Sequence, residues 1–321
     1  MLLLYSVLLF LALPLLVAGG ASALLPAAGA IAAIVVLASR RAGRSLGGGL
    51  WYDETGGAAM ELLLGFVTAP STTQTALTMA TGDSLQLRAT GSGKNVRLLA
   101  PWTDQQSAGS LRIRSPRLHD NNQGIRLRSV ASEVYPLWGL EIGQKLGQND
   151  TLAVDLSGSA TAGDIETAVL PILYEDLDGA NAKFITVDEL QRRAVNLLAI
   201  ENTLALGTAG GWSGSEAINA EYDPMIANTD YALIGFNVDT ECAAIGWRGA
   251  DTSNYRLGGP GHETNKQITR DWFIRLSKAL GIALIPVFNS NNRAAIQIDG
   301  AQDENGADPL VNSIFVQLAP R

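Results

Sequence analysis

Hydrophobic and polar positions divide the chain into two unlike parts. From Met1 to Ser39 there is no charged side chain, and the run then meets Arg40, Arg41 and Arg44. Leu2 to Val17 and Leu24 to Ala38 are nearly continuous apolar stretches, separated by Gly19, Gly20, Ala21 and Ser22. A spanning helix takes about 20 apolar residues, so residues 1–42 predict a hydrophobic membrane segment of one or two spans. From residue 62 the pattern changes to short alternations: Ser84–Arg88, Leu111–Arg114, Ile125–Arg128, Leu152–Leu156, Ala295–Asp299 and Ile314–Leu318. Alternation over four to six residues predicts strands with one face on a core. Turn-rich clusters such as Asp120–Gly124 and Gln148–Asp150 lie between them, a spacing that predicts a mainly β antiparallel sandwich or barrel rather than βαβ units.

Two segments break the alternation. Thr186-Val187-Asp188-Glu189 is a capping box, followed by Leu190, Ala194, Leu197, Leu198 and Leu204 at helical spacing and closed by Gly207. This predicts a connecting helix over 186–207. A second helix is predicted from Thr269 through Trp272, Phe273, Leu276 and Leu280 to Gly281, its apolar face on a sheet. The first helix splits the body into two β-rich parts, 62–185 and 208–321, and the Gly-rich residues 43–61 read as a flexible tether. A faint internal repeat fits this division: Leu170–Tyr174 resembles Ile285–Asn289, and Trp138-Gly139 is echoed at Trp247–Gly249.

Charge adds an asymmetry that the net value of −8 conceals. Arg88, Lys94, Arg97, Arg112, Arg114, Arg117, Arg126 and Arg128 face only Asp104 and Asp120 over that stretch, whereas residues 129–321 carry 12 basic and 25 acidic side chains. Opposite-sign patches steer and orient association, so the chain is suited to self-complementary contacts, as well as to two merely solvated faces. Arg112, Arg114, Arg126 and Arg128 are therefore candidate interface residues. Sequence-specific nucleic-acid binding is not expected, since Trp102 is nearly alone as an aromatic among the basic residues. If the apolar segment is inserted, its three arginines hold the cytoplasmic side and the body faces the cytoplasm. The single Cys242 agrees with a reducing compartment. Ala21-Ser22-Ala23 also reads as a signal-peptide cleavage site, without the usual charged n-region. A start at Met60 is the remaining reading.

No catalytic constellation stands out. Gly211–Ser215 misses the Gly-x-Ser-x-Gly elbow at its last position, and Gly91-Ser92-Gly93-Lys94 lacks the remainder of a phosphate loop. His119 and His262, the only histidines, sit in polar turns. No enzyme activity and no cofactor are expected. The acidic loops at 175–179 and 299–308 carry the oxygen ligands of a structural calcium, without helix–loop–helix spacing. Aromatic and Asn residues crowd 219–260, among them Tyr222, Tyr231, Phe236, Trp247 and Tyr255. They read as a binding surface, as subunit packing with Trp247 and Tyr255 at an interface, or as ordinary core and loops.

Two β-rich parts in tandem, carried by these strand runs, the Leu170–Tyr174 and Ile285–Asn289 pair and the 186–207 segment, resemble the double jelly-roll major capsid proteins of tailless, membrane-containing icosahedral bacteriophages. The likeness is one of plan and transfers no functional residue. It implies two consecutive jelly-roll domains with short helices and a homotrimer that meets neighbouring capsomers. The shell would lie over a lipid membrane, with minor capsid or vertex proteins as further partners, and assemble in the host cytoplasm at the membrane. A membrane-anchored β-sandwich module that binds carbohydrate or a receptor is the alternative, and an anchored hydrolase a third.

Overall fold

The computed structural model describes residues 57–68, 73–80, 83–87, 96–118, 123–129, 131, 134–147, 149–177, 183–207, 209–261, 266–302 and 308–320. The apolar segment, most of the tether, His119, His262 and the 91–94 turn lie outside the described residues. Among the described residues no helix is long and apolar enough to cross a membrane.

The body is mainly β. Its first half holds β1 (Gly57–Thr68), β2 (Thr75–Ala76), β3 (Thr78–Met79), β4 (Val96–Leu98), β5 (Trp102–Asp104), β6 (Gly109–Arg114), β7 (Ile125–Ser129), β8 (Gln144–Leu146), β9 (Ala153–Ser157) and β10 (Ile165–Leu177). A short link of β11 (Phe184–Ile185) and α1 (Val187–Arg193) leads to the second half. There β12 (Ala194–Thr203), β13 (Trp212–Ala217), β14 (Asp230–Val238), β15 (Cys242–Arg248) and β16 (Leu257–Gly261) precede the helices α2 (Lys266–Thr269) and α3 (Trp272–Leu280). The chain closes with β17 (Ile285–Asn289), β18 (Gln297–Ala301) and β19 (Leu310–Leu318).

These strands form four antiparallel sheets. In the first half one sheet runs β3-β1-β10-β4-β8, with β5 also on β10, and the other runs β2-β9-β6-β7. In the second half the orders are β11-β17-β14-β19-β12 and β13-β18-β15-β16. Counting β2 with β3, and β4 with β5, as single interrupted strands gives eight strands per half. Both halves then show the same order, first-eighth-third-sixth in one sheet and second-seventh-fourth-fifth in the other. Side chains of both first-half sheets share one core: Leu63, Leu98, Leu170 and Ile172 meet Leu111, Ile113, Val154 and Leu156. The second core is built likewise from Ile200, Leu233, Phe236 and Phe315 against Ile245, Trp247 and Ile298.

Apart from Glu61, which accepts from the Tyr174 hydroxyl, β1 reads as apolar sequence because both its faces are buried. Ala59, Leu63 and Val67 point into the first core. Met60, Leu62 and Leu64 join the second core, together with Trp102, Val169 and Leu173 from the back of the same sheet. A strand covered on two sides has no polar face and so loses the alternation that marks a half-exposed strand. Residues 57–61, predicted as the end of the tether, are instead the start of β1.

The connecting helix predicted over 186–207 is largely a strand. Thr186 does cap it, its Oγ1 accepting from the Glu189 amide at 3.2 Å, but the helix ends at Arg193. From Ala194 the chain pairs with β19, reaching Thr203 opposite Leu310. The apolar spacing fits both periods. The β-branched Val195, Ile200 and Thr203 favour the extended form, and the ladder with β19 decides it. The second helix stops as predicted at Gly281, in the left-handed conformation (φ 69°), but it starts at Trp272, and Thr269 ends the separate helix α2. Helix and sheet approach closely at β14, where a Cβ on Gly235 would lie 2.4 Å from the Arg270 carbonyl. Two further expectations change. Ser84–Arg88 contributes a single bridge, Gln86 to Thr151. The repeat pairing Leu170–Tyr174 with Ile285–Asn289 links unlike positions, since β10 is the eighth strand of its half and β17 the sixth. The counterpart of β10 is β19.

Candidate assembly surfaces

The two halves are joined by a buried joint with a polar centre. Trp102 reaches across, its indole N–H donating to the Ala243 carbonyl at 2.8 Å and its ring meeting Trp272 edge-on at 6.1 Å. On the edge of β1 away from β10, ahead of its short pairing with β3, the Leu62 amide donates to the Arg256 carbonyl (2.8 Å) and the Leu64 amide to Asp83 (2.6 Å). Asp83 also accepts from the Trp212 indole N–H, and Arg256 lies 3.5 Å from it. The Arg256 guanidinium stacks over the Trp212 ring at 4.3 Å and donates to Asp299, which is paired with Arg248 as well. Burial pushes the Asp83 carboxyl above its ordinary range, with Glu61 adding to it, against the Leu64, Trp212 and Arg256 interactions. Burial acts in the same sense on Asp299, but the bonds from Arg248 and Arg256 outweigh it and hold that carboxyl low. One carboxylate is thus well solvated by guanidinium groups and the other is not.

The six candidate interface residues fall into three groups. Arg112 and Arg114, on β6, share Asp155 on the neighbouring β9, at 2.7 and 3.0 Å. Arg126 and Arg128 project from β7 and are exposed, with Arg126 opposite Arg112 in the ladder. They meet no carboxylate among the described residues. Trp247 is a correction: it is fully buried in the second core between Phe236 and Phe273, donating to Ser313 Oγ at 3.0 Å. A side chain sealed inside its own half has no surface to offer a partner. Tyr255 is half-buried and packs on Tyr174 across the joint at 5.7 Å. The 219–260 aromatics divide accordingly, with Tyr231 and Phe236 in the core and Tyr222 exposed.

Sequence reading missed a second surface, at β12. This strand ends its sheet and pairs only with β19. The Leu204 amide donates to the Pro309 carbonyl, which sets the phase of the ladder: even-numbered residues bond to β19, and the amides of Leu197, Ala199 and Glu201 point away. Val195 and Leu197 are the most prominent apolar side chains there, Leu197 being 70% exposed. An acidic rim adjoins them. Glu221 accepts from the Thr203 amide, Asp308 from that of Leu206 and Asp239 from that of Leu310, the register partner of Thr203. Glu201 lies two residues back on β12, held by Asn312. None of these four carboxylates has a cationic partner among the described residues. Burial, and then the charge of Glu221, push the Glu216 carboxyl upward, against a bond from Asn202. Glu216 Oε2 and Asn202 Oδ1 are buried acceptors with no donor.

Of the acidic loops expected to suit calcium, 178–179 and 303–307 lie outside the described residues. Glu175 pairs with Arg97, and Asp299 belongs to the joint. Among the described residues no group of three His, Cys, Asp or Glu is placed to hold a metal.

No protein-family model matches the chain, and no curated protein matches it. Among solved structures it is similar to a chain described under "The Triple Jelly Roll Fold and Turret Assembly in an Archaeal Virus". The similarity has 7% identity, covers 81% of this chain and 79% of that one, and has a TM-score of 0.20. So loose a superposition does not define strand order, which rests here on the ladders themselves.

Proposed function

We propose that this chain is a structural virion protein, a major capsid protein that forms trimeric capsomers of an icosahedral shell over a membrane. The observation that carries the reading is the strand order found twice, first-eighth-third-sixth facing second-seventh-fourth-fifth. Eight strands in two sheets of that order are a jelly roll, an architecture frequent in viral capsid and lectin domains. Two of them in tandem, fused through a buried joint, make one compact block with two similar ends. Three such blocks present six sandwiches around an axis and give a pseudo-hexagonal tile. The uncharged residues 1–39, followed by arginines, supply the membrane side of the assignment. The role is architectural, with no bond made or broken.

Sedimentation of the full-length chain in mild detergent, with the detergent density-matched, tests this directly. The expected mass is three times that of the chain, with a hexagonal outline by negative-stain microscopy. A monomer at all concentrations overturns the reading.

A further inference from the structure

We propose that the arginine face of β7 and the carboxylate rim of β12 are the two sides of one contact, the arginines of one copy of the chain meeting the carboxylates of the next. The inference rests on the virion reading and gives it a specific contact.

Both surfaces are incomplete in the isolated chain, in opposite senses. Arg126 and Arg128 stand on one face of β7, about 7 Å apart as alternate strand residues are, exposed and unpaired among the described residues. Arg126 also faces Arg112 across the ladder, an unfavourable like-charge pair that Asp155 offsets only through Arg112. At the other surface Glu201 and Glu221 are brought together by β12 and the Thr203 amide, again with no cation. Asp239 and Asp308 extend the rim, each also without a cation among the described residues. A guanidinium supplies the positive charge that this rim lacks. Exposed Leu197 lies on the same strand, so closing the contact also removes apolar surface from water.

The geometry of association follows from where the surfaces lie. Pairing two β7 faces, or two β12 rims, about a two-fold axis opposes like charges. Pairing one with the other is head-to-tail, first half on second half, and head-to-tail contacts close into rings when the rotation permits. Covering β12 also hides a ten-residue strand edge, which otherwise invites uncontrolled pairing.

The test is charge reversal and exchange in the full-length chain, read by sedimentation, with thermal melting as the check on folding. R126E/R128E and E201R/E221R are each expected to weaken trimer formation at least tenfold. The fourfold exchange should restore it, and the unaltered trimer should weaken as sodium chloride rises from low to high concentration. A stable unaltered trimer that ignores both salt and the reversals in folded variants overturns this contact and leaves the capsid reading standing. A monomeric unaltered chain overturns the capsid reading itself, and the contact with it.

Discussion

Trp212 donates its indole N–H to Asp83 across the joint at 3.0 Å, so that a residue of the second half holds the loop before β4 of the first. The same carboxylate binds the Leu64 amide on the edge of β1 away from β10. Arg256 then connects Asp83 to Asp299, whose side chain is 2% exposed, with Arg248 on its far side. Removing the charge of Asp299 leaves two guanidinium groups, 17% and 37% exposed, without their shared carboxylate. Breaking a buried pair in this way typically costs about 3–5 kcal/mol, and the partial exposure of the arginines reduces it to roughly 2 kcal/mol. Asp299→Asn should therefore lower the melting temperature by several degrees. Asp83→Asn keeps an acceptor for Trp212 and Leu64, removes a charge that burial disfavours, and should leave the melting temperature unchanged or raised.

The two variants should also differ in sign against pH. Asp83 binds its proton more tightly folded than unfolded. Its ionised form therefore subtracts stability above its raised pKa, and the loss disappears as pH falls through that value. Asp299 is the reverse: its contribution is complete above the unfolded carboxylate pKa and fades as pH falls toward its lowered folded value. Melting curves from neutral to acid pH should show the advantage of Asp83→Asn and the deficit of Asp299→Asn both shrinking. A gap that widens in acid for either variant contradicts the assignment.

How much of this was legible in the sequence depends on how many faces each element exposes. β6, β7 and β19 are read correctly because each keeps one polar side, as in Ile125-Arg126-Leu127-Arg128. β1 and the middle of β10 have no polar side, and their burial between two cores leaves no periodicity to find. At β12 the apolar positions satisfy both periods, and only the long-range ladder to β19 chooses between them. Arg126 and Arg128 were visible as an excess of charge. The acidic rim was not, because Glu201, Glu221, Asp239 and Asp308 come from four separate segments, the last three held by backbone amides and Glu201 by the Asn312 side chain.

Trp247 distinguishes core from contact. It is sealed between Phe236, at 5.0 Å, and Phe273, at 6.3 Å, and satisfies Ser313. Trp247→Ala should cost about 3–5 kcal/mol by leaving a cavity, visible as a large fall in the melting temperature even in dilute, dissociated protein. Arg126→Glu, on an exposed strand face, should leave that melt within about 0.5 kcal/mol of the unaltered chain. An unchanged melt for Trp247→Ala would return that residue to the list of surface contacts.

The start of β1 sets where the body can be cut. The compact unit holding both halves runs from Tyr52 to Arg321. Its first strand pairs Gly57 with Leu177 and Ala59 with Tyr174, and Ala59 is fully buried in the first core. A chain beginning at Tyr52 keeps the whole strand. A chain beginning at Met60 loses the buried methyl of Ala59 and the ladder bonds of that end, together worth about 1–3 kcal/mol. It also puts a charged amino terminus beside residues that line both cores, where ionised groups are costly. Chemical denaturation of the two chains should give the same slope with denaturant and a lower midpoint for the Met60 chain, since the fold is retained while its first sheet is weakened. Equal midpoints would mean that residues 57–59 contribute nothing to the sheet.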